Sequence, residues 1–90
     1  MERAHRTFPN TLRLHRTTMG YTQRQVAALL GLHDTVPISL WEKGATLPNT
    51  VNLIKLSLIY RTFPNDLYDD VFHTFREELK VKELEQFKAS

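Results

Sequence analysis

Apolar and polar positions along this chain recur with a helical period, and no stretch shows the strict two-residue alternation of a half-buried strand. The clearest run is TQRQVAALLGL, residues 22–32, in which Val26, Ala27, Leu29 and Leu30 define one apolar face. Thr22 precedes that face and Gln25 follows three residues later, the pattern of a capping box at a helix N-terminus. Gly31 ends the helix, and Ala27 is small where two closely crossing helices leave no room for a larger side chain. A third helix is predicted over about 35–43, with Ile38 and Trp41 inward, Asp34 as its cap and Gly44 as its terminator. Pro37 falls in its first turn, where the missing N–H costs nothing. That leaves Thr35, Val36, Ser39, Leu40 and Lys43 on the outer side.

The flanking elements follow by the same logic. Pro9 and Asn10 open a first helix that carries Leu12 inward and runs to about Met19, with Gly20 just beyond it. Asn49 caps a fourth helix in which Val51, Leu53, Ile54, Leu56, Leu58 and Ile59 are apolar on most sides, so it is expected to be the most buried element. Pro64 starts a short fifth helix with Leu67 and Tyr68 inward. The pentapeptide RTFPN occurs at 6–10 and again at 61–65, and it reads as one helix-starting device used twice. Residues 69–88 form a C-terminal helix in which Phe72, Phe75 and Leu79 share a face, while Val81, Leu84 and Phe87 drift away from it. That face packs either on its own domain or on a second subunit. The whole is all-α: five helices plus a C-terminal one.

Ninety residues suffice for one domain with a single core, and 41% hydrophobic with 24% charged residues is ordinary for a globular chain. Three parts are expected: a basic arm at 1–8, a helical domain at 9–68, and a docking or dimerisation helix at 69–90. The absence of cysteine excludes disulfides and thiolate metal sites, and it fits a reducing, cytoplasmic setting. No apolar run approaches a membrane span or a secretory leader. The net charge of +2 is modest, but its distribution is uneven. Arg3, Arg6, Arg13, Arg16 and Arg24 crowd the first 24 residues, whereas acids collect from Asp66 onward, which gives one end a bias toward an anionic partner. His5, His15, His33 and His73 are scattered, no acid pair or nucleophile–base set appears, and Ser39 has no histidine organised to activate it. Neither an enzyme nor a cofactor is expected.

The series Thr22-Gln23-x-x-Val26-Ala27-x-x-Leu30-Gly31, then Ile38-Ser39-x-Trp41-Glu42-x-Gly44 and Leu47-Pro48, resembles the lambda repressor/Cro-like (XRE-type) helix-turn-helix family. Leu56–Tyr68 fits that family's fourth and fifth helices, so the resemblance covers about residues 11–68. It implies a five-helix lambda repressor-like helix-turn-helix bundle, here with an additional C-terminal helix. It also implies sequence-specific binding of double-stranded DNA, transcription regulation of the repressor type and a homodimer. Carried over by position, Thr22 and Gln23 hold phosphate at the start of the second helix, where free N–H groups and the helix dipole favour an anion. Thr35, Val36, Ser39 and Leu40 face base edges, and Lys43 faces a phosphate. Arg16 and Glu42 form a partly buried ion pair between the first and third helices. Arg13 reads either as a phosphate contact or as part of a solvated helix face.

The chain departs from the family pattern in three ways. Its turn between Gly31 and Ile38 is one residue longer than the commonest spacing, and His15 replaces a small or apolar residue. The outer face of the third helix also lacks Arg, Gln or Asn. Bidentate pairs from those residues to guanine or adenine supply about 1–3 kcal/mol of discrimination each. Val36 and Leu40 reach only thymine methyls, which shifts readout onto Thr35, Ser39, water and DNA shape. The competing expectation is a protein-interaction module, such as an antitoxin or a mobile-element control protein, that uses this apolar outer face and the C-terminal helix on a protein partner.

Overall fold

The computed structural model describes residues 7–87, and among these the chain is all-α: α1 (Leu12–Thr18), α2 (Gln23–Leu30), α3 (Val36–Glu42), α4 (Thr50–Ile59), α5 (Pro64–Leu67) and α6 (Asp69–Phe87). The start of α2 is set locally. Thr22 Oγ1 accepts from the Gln25 amide at 3.0 Å, and Gln25 Oε1 accepts from the Thr22 amide at 2.9 Å, so the capping box is complete. Gly31 closes α2 in the left-handed conformation at φ 72°. Asp34 Oδ1 accepts from the Val36 amide at 3.0 Å, and Pro37 sits in the first turn of α3, where it displaces no helical hydrogen bond. Asn49 caps α4 by accepting from the Asn52 amide at 2.8 Å.

One core joins these helices. Leu12, Val26, Ala27, Leu30, Ile38, Trp41, Leu56, Tyr60, Leu67, Tyr68 and Val71 are buried together. α1 and α2 both pack on α3, and α5 connects α4 to α6. The end of α5 returns to the start of α1, where the Thr11 amide donates to Leu67 O at 2.9 Å and Thr11 Oγ1 to Asp66 O at 3.1 Å.

Several expectations change. α4 is not the most buried element: Leu56, Ser57 and Tyr60 face the core, while Val51, Ile54 and Leu58 form an exposed stripe on the opposite side. Periodicity fixed the helix, but only one side of it meets neighbours. Leu29 likewise is exposed, because α2 is covered only along Val26, Ala27 and Leu30. The basic arm does not reach Phe8. Its amide donates to Gly44 O at 2.9 Å and its ring packs on the core, while residues 1–6 lie outside the described residues.

The two RTFPN copies also do different work. Asn10 Oδ1 accepts from the Leu12 amide, and its Nδ2 donates to Phe8 O and Trp41 O, all at 2.9–3.0 Å. In the second copy α5 begins at Pro64 itself, Asn65 is exposed, and Phe63 points to solvent. Tertiary partners, absent from the pentapeptide, decide its conformation.

α6 projects from this body. It has 19 residues, about 28 Å at helical rise, with Val71 as its buried residue, and the molecule measures 53 × 37 × 21 Å. No helix among the described residues is long and apolar enough to cross a membrane.

Candidate functional site

α1, α2 and α3 meet at Glu42. Arg16 Nε donates to Glu42 Oε2 at 2.6 Å and Arg16 Nη2 to Oε1 at 3.2 Å, while Nη1 donates to Tyr21 O at 3.0 Å. Gln23 Nε2 donates to Glu42 Oε1 at 3.0 Å. The ion-paired side chains are 12% and 7% exposed, so the pair is largely shielded from water and each charge depends on the other. The hydrogen bond to Glu42 outweighs desolvation and holds the Arg16 guanidinium above its ordinary pKa. Tyr60 lies within the field of this pair. Its hydroxyl is pushed well above its ordinary value, first by burial and then by the Glu42 charge, so it stays neutral.

One N–H of the Gln23 side-chain amide is given to Glu42, which ties the start of α2 to α3 and leaves the second N–H and Oε1 of that amide for a ligand. Thr22 is exposed at the N-terminus of α2, its hydroxyl oxygen engaged in the capping box. The first N–H groups of α2 have no acceptor within the helix, as at any helix start.

Beside the Glu42 junction is an open hollow of ≈ 220 Å³ lined by Arg13, Arg16, Gln23, Ser39, Glu42 and Lys43. The structure thus brings Arg13 and Lys43, both exposed, to one rim with Ser39 between α1 and the end of α3. Since Arg16 neutralises Glu42, the rim is left cationic. Val36 (57% exposed) and Leu40 (37%) stand outward on α3. Thr35 turns the other way and borders a separate hollow with Arg24, Ala28, His33 and Asp34. His15 Nδ1 lies 2.9 Å from Thr11 O, one turn back in α1, and is thereby occupied within its own helix.

Two participants were not singled out from sequence. Tyr60, at the C-terminal end of α4, lies within the field of the ion pair, and the Tyr21 carbonyl anchors Arg16. Neither carries a local signal, because both act through positions fixed by packing. No group of histidines and acids among the described residues is placed to hold a metal ion. Compared with family models, curated proteins and solved structures, the chain matches none.

Proposed function

We propose that this chain is a DNA-binding transcriptional regulator of the lambda repressor/Cro-like helix-turn-helix type, acting as a homodimer with α3 in the major groove. The observation that carries the reading is the three-helix junction at Glu42. It locks α2 to α3 while leaving the Val36–Leu40 face of α3 and the cations Arg13 and Lys43 directed outward. A reading helix needs both a rigid frame and phosphate contacts beside it, since phosphates set register and base edges set sequence. The start of α2, with Thr22 in its capping box, offers oriented N–H groups to a phosphate. The apolar face of α3 assigns much of the readout to thymine methyls and to DNA shape.

Selection from random duplexes at two salt concentrations tests the reading. One sequence class is enriched, and affinity falls with a log–log slope of about −0.9 per phosphate neutralised. Lys43→Ala and Arg13→Ala each reduce that slope by about 1 without changing the selected sequence, whereas Leu40→Ala changes the sequence. Failure to retain any duplex at either salt overturns the proposal. The exposed apolar side chains on α3 and the α4 stripe favour a second reading, a module that binds a protein partner. Under it, Leu40→Ala and Lys43→Ala leave duplex binding indifferent.

A further inference from the structure

Away from the Glu42 junction, an open apolar groove of ≈ 500 Å³ is lined by Leu47, Pro48 and Leu53, before and within α4, and by Phe72, Phe75 and Leu79 of α6. Two polar side chains also border it, Tyr68 and Arg76. We infer that this groove binds a small amphipathic carboxylate: a medium-length aliphatic chain with its carboxylate at Arg76 and a second oxygen, hydroxyl or carbonyl, at Tyr68. The site is separate from the α1–α3 face, and the inference does not rest on the DNA reading.

An unmade hydrogen bond is the first observation. Tyr68 is 2% exposed, and its hydroxyl is buried with no partner among the described residues. Such a group has lost water without gaining an acceptor, and a ligand oxygen offsets that loss. Burial pushes the hydroxyl up to about 12, so at neutral pH it keeps its proton and can donate. Its hydrogen rotates to suit an acceptor.

The second is a cation without a counter-ion. Arg76 is exposed and has no ion pair among the described residues. Its own helix supplies none at the usual spacings, since the residues three and four positions away are Phe72, His73, Leu79 and Lys80. A guanidinium fork beside an apolar surface matches a carboxylate bidentately. Tyr68 comes just before α6, and its carbonyl accepts from the Phe72 amide at 2.9 Å. The two polar residues therefore stand about 12 Å apart along the helix axis, with Phe72 and Phe75 between them. Polar, apolar, polar is the order the ligand must match.

Size is the third. The volume falls within the roughly 300–1,000 Å³ of small-molecule sites, which are mostly apolar with a few placed polar groups. Phe72 (40% exposed), Phe75 (38%), Leu79 (64%) and Leu47 (43%) offer on the order of 300 Å² of apolar surface, by typical side-chain areas. That is far short of the roughly 800 Å² per partner of a stable protein complex. It is enough to cover a short chain.

Isothermal titration calorimetry with ω-hydroxydecanoate, decanoate and decanol, each kept below the concentration at which it self-associates, tests the site. ω-Hydroxydecanoate binds saturably, one molecule to one chain. Decanoate binds about threefold more weakly for want of the second oxygen, and decanol about tenfold more weakly for want of the charge. Arg76→Gln weakens both carboxylates about tenfold and leaves decanol unchanged. Tyr68→Phe removes the preference for the ω-hydroxyl and leaves decanoate unchanged. Arg76 is exposed and Tyr68→Phe removes only an unpartnered oxygen, and circular dichroism checks that both variants keep their helices. Absence of saturable binding overturns the inference, and so does binding that neither substitution alters. A wild-type chain that binds none of the three and sediments as a dimer dissociated by Leu79→Glu also overturns it, by giving the groove to a second copy. Duplex retention is measured separately and bears only on the DNA reading.

Discussion

At Glu42 a single carboxylate serves three helices, and its removal exposes the cost of dry charge. Taking Glu42 away leaves the Arg16 guanidinium, largely shielded from water, with one carbonyl for company. Glu42→Ala is therefore expected to lower unfolding free energy by about 3–5 kcal/mol in urea titration, the usual penalty for an uncompensated buried charge. Arg16→Met with Glu42→Leu removes both desolvation costs and loses much less. A cost of Glu42→Ala no larger than that of the double change would show that Arg16 escapes to water. Tyr68 presents the opposite case, a buried hydroxyl with no hydrogen-bond partner among the described residues. Tyr68→Phe is expected to be neutral or to stabilise by about 1 kcal/mol, since a donor without an acceptor only costs desolvation. Burial pushes the Tyr68 hydroxyl up to about 12. A folded-state value above the unfolded one means a contribution complete below about pH 10 and lost as pH rises toward 12. The phenylalanine variant should unfold less steeply over that alkaline window, which circular dichroism against pH can follow.

Elements differ in how openly the chain declares them. The capping box of α2 was legible because Thr22, Gln25 and the intervening backbone settle it among themselves. The burial of α4 was not, because Val51, Ile54 and Leu58 are as apolar as Leu56, and only the arrangement of the other helices says which side is covered. The same holds for Phe8, whose pentapeptide recurs at Phe63 in a different environment. Gly44 shows tertiary control of a turn. It ends α3 at φ 78°, and a Cβ there meets Phe8 O at 2.8 Å, whereas a Cβ at Gly31, φ 72°, meets no atom within 4 Å. Gly31→Ala should cost about 1–2 kcal/mol, the left-handed penalty alone. Gly44→Ala should cost clearly more, because the chain at Phe8 must also move and its bond to Gly44 O must stretch. Thermal denaturation of the two variants side by side measures the difference, and equal losses would mean that Phe8 yields freely.

For the molecule as a whole, the sequence located the pieces of the candidate interface but not how they compete. Arg16 with Glu42 could be anticipated by position, yet the bond from Gln23 to Glu42 could not, because nothing in TQRQ reveals that Glu42 has an acceptor oxygen within its reach. The projection of α6 was also hidden: drift of Phe72, Phe75 and Leu79 toward Val81 and Leu84 shows only that one neighbour cannot cover both faces. On the homodimer reading its consequence is a separation between folding and association. Residues 81–87 are all exposed, so deleting 81–90 removes none of the core residues found among the described ones. The shortened chain should keep its cooperative unfolding, with a Tm at low concentration within about 4 °C of the full chain, the shift that ~1 kcal/mol produces in a domain of this size. What it loses is the last seven of the 19 residues of α6, including Lys82 and Glu83. On the homodimer reading a folded dimer gains stability by mass action, so the full chain's Tm should rise with protein concentration; if α6 carries the contact, the rise should be smaller for the shortened chain, which keeps Phe72, Phe75 and Leu79 but loses the end of the helix. A shortened chain that unfolds at all concentrations would place α6 inside the folding unit. A full chain whose Tm ignores concentration would separate the projecting helix from any role in pairing.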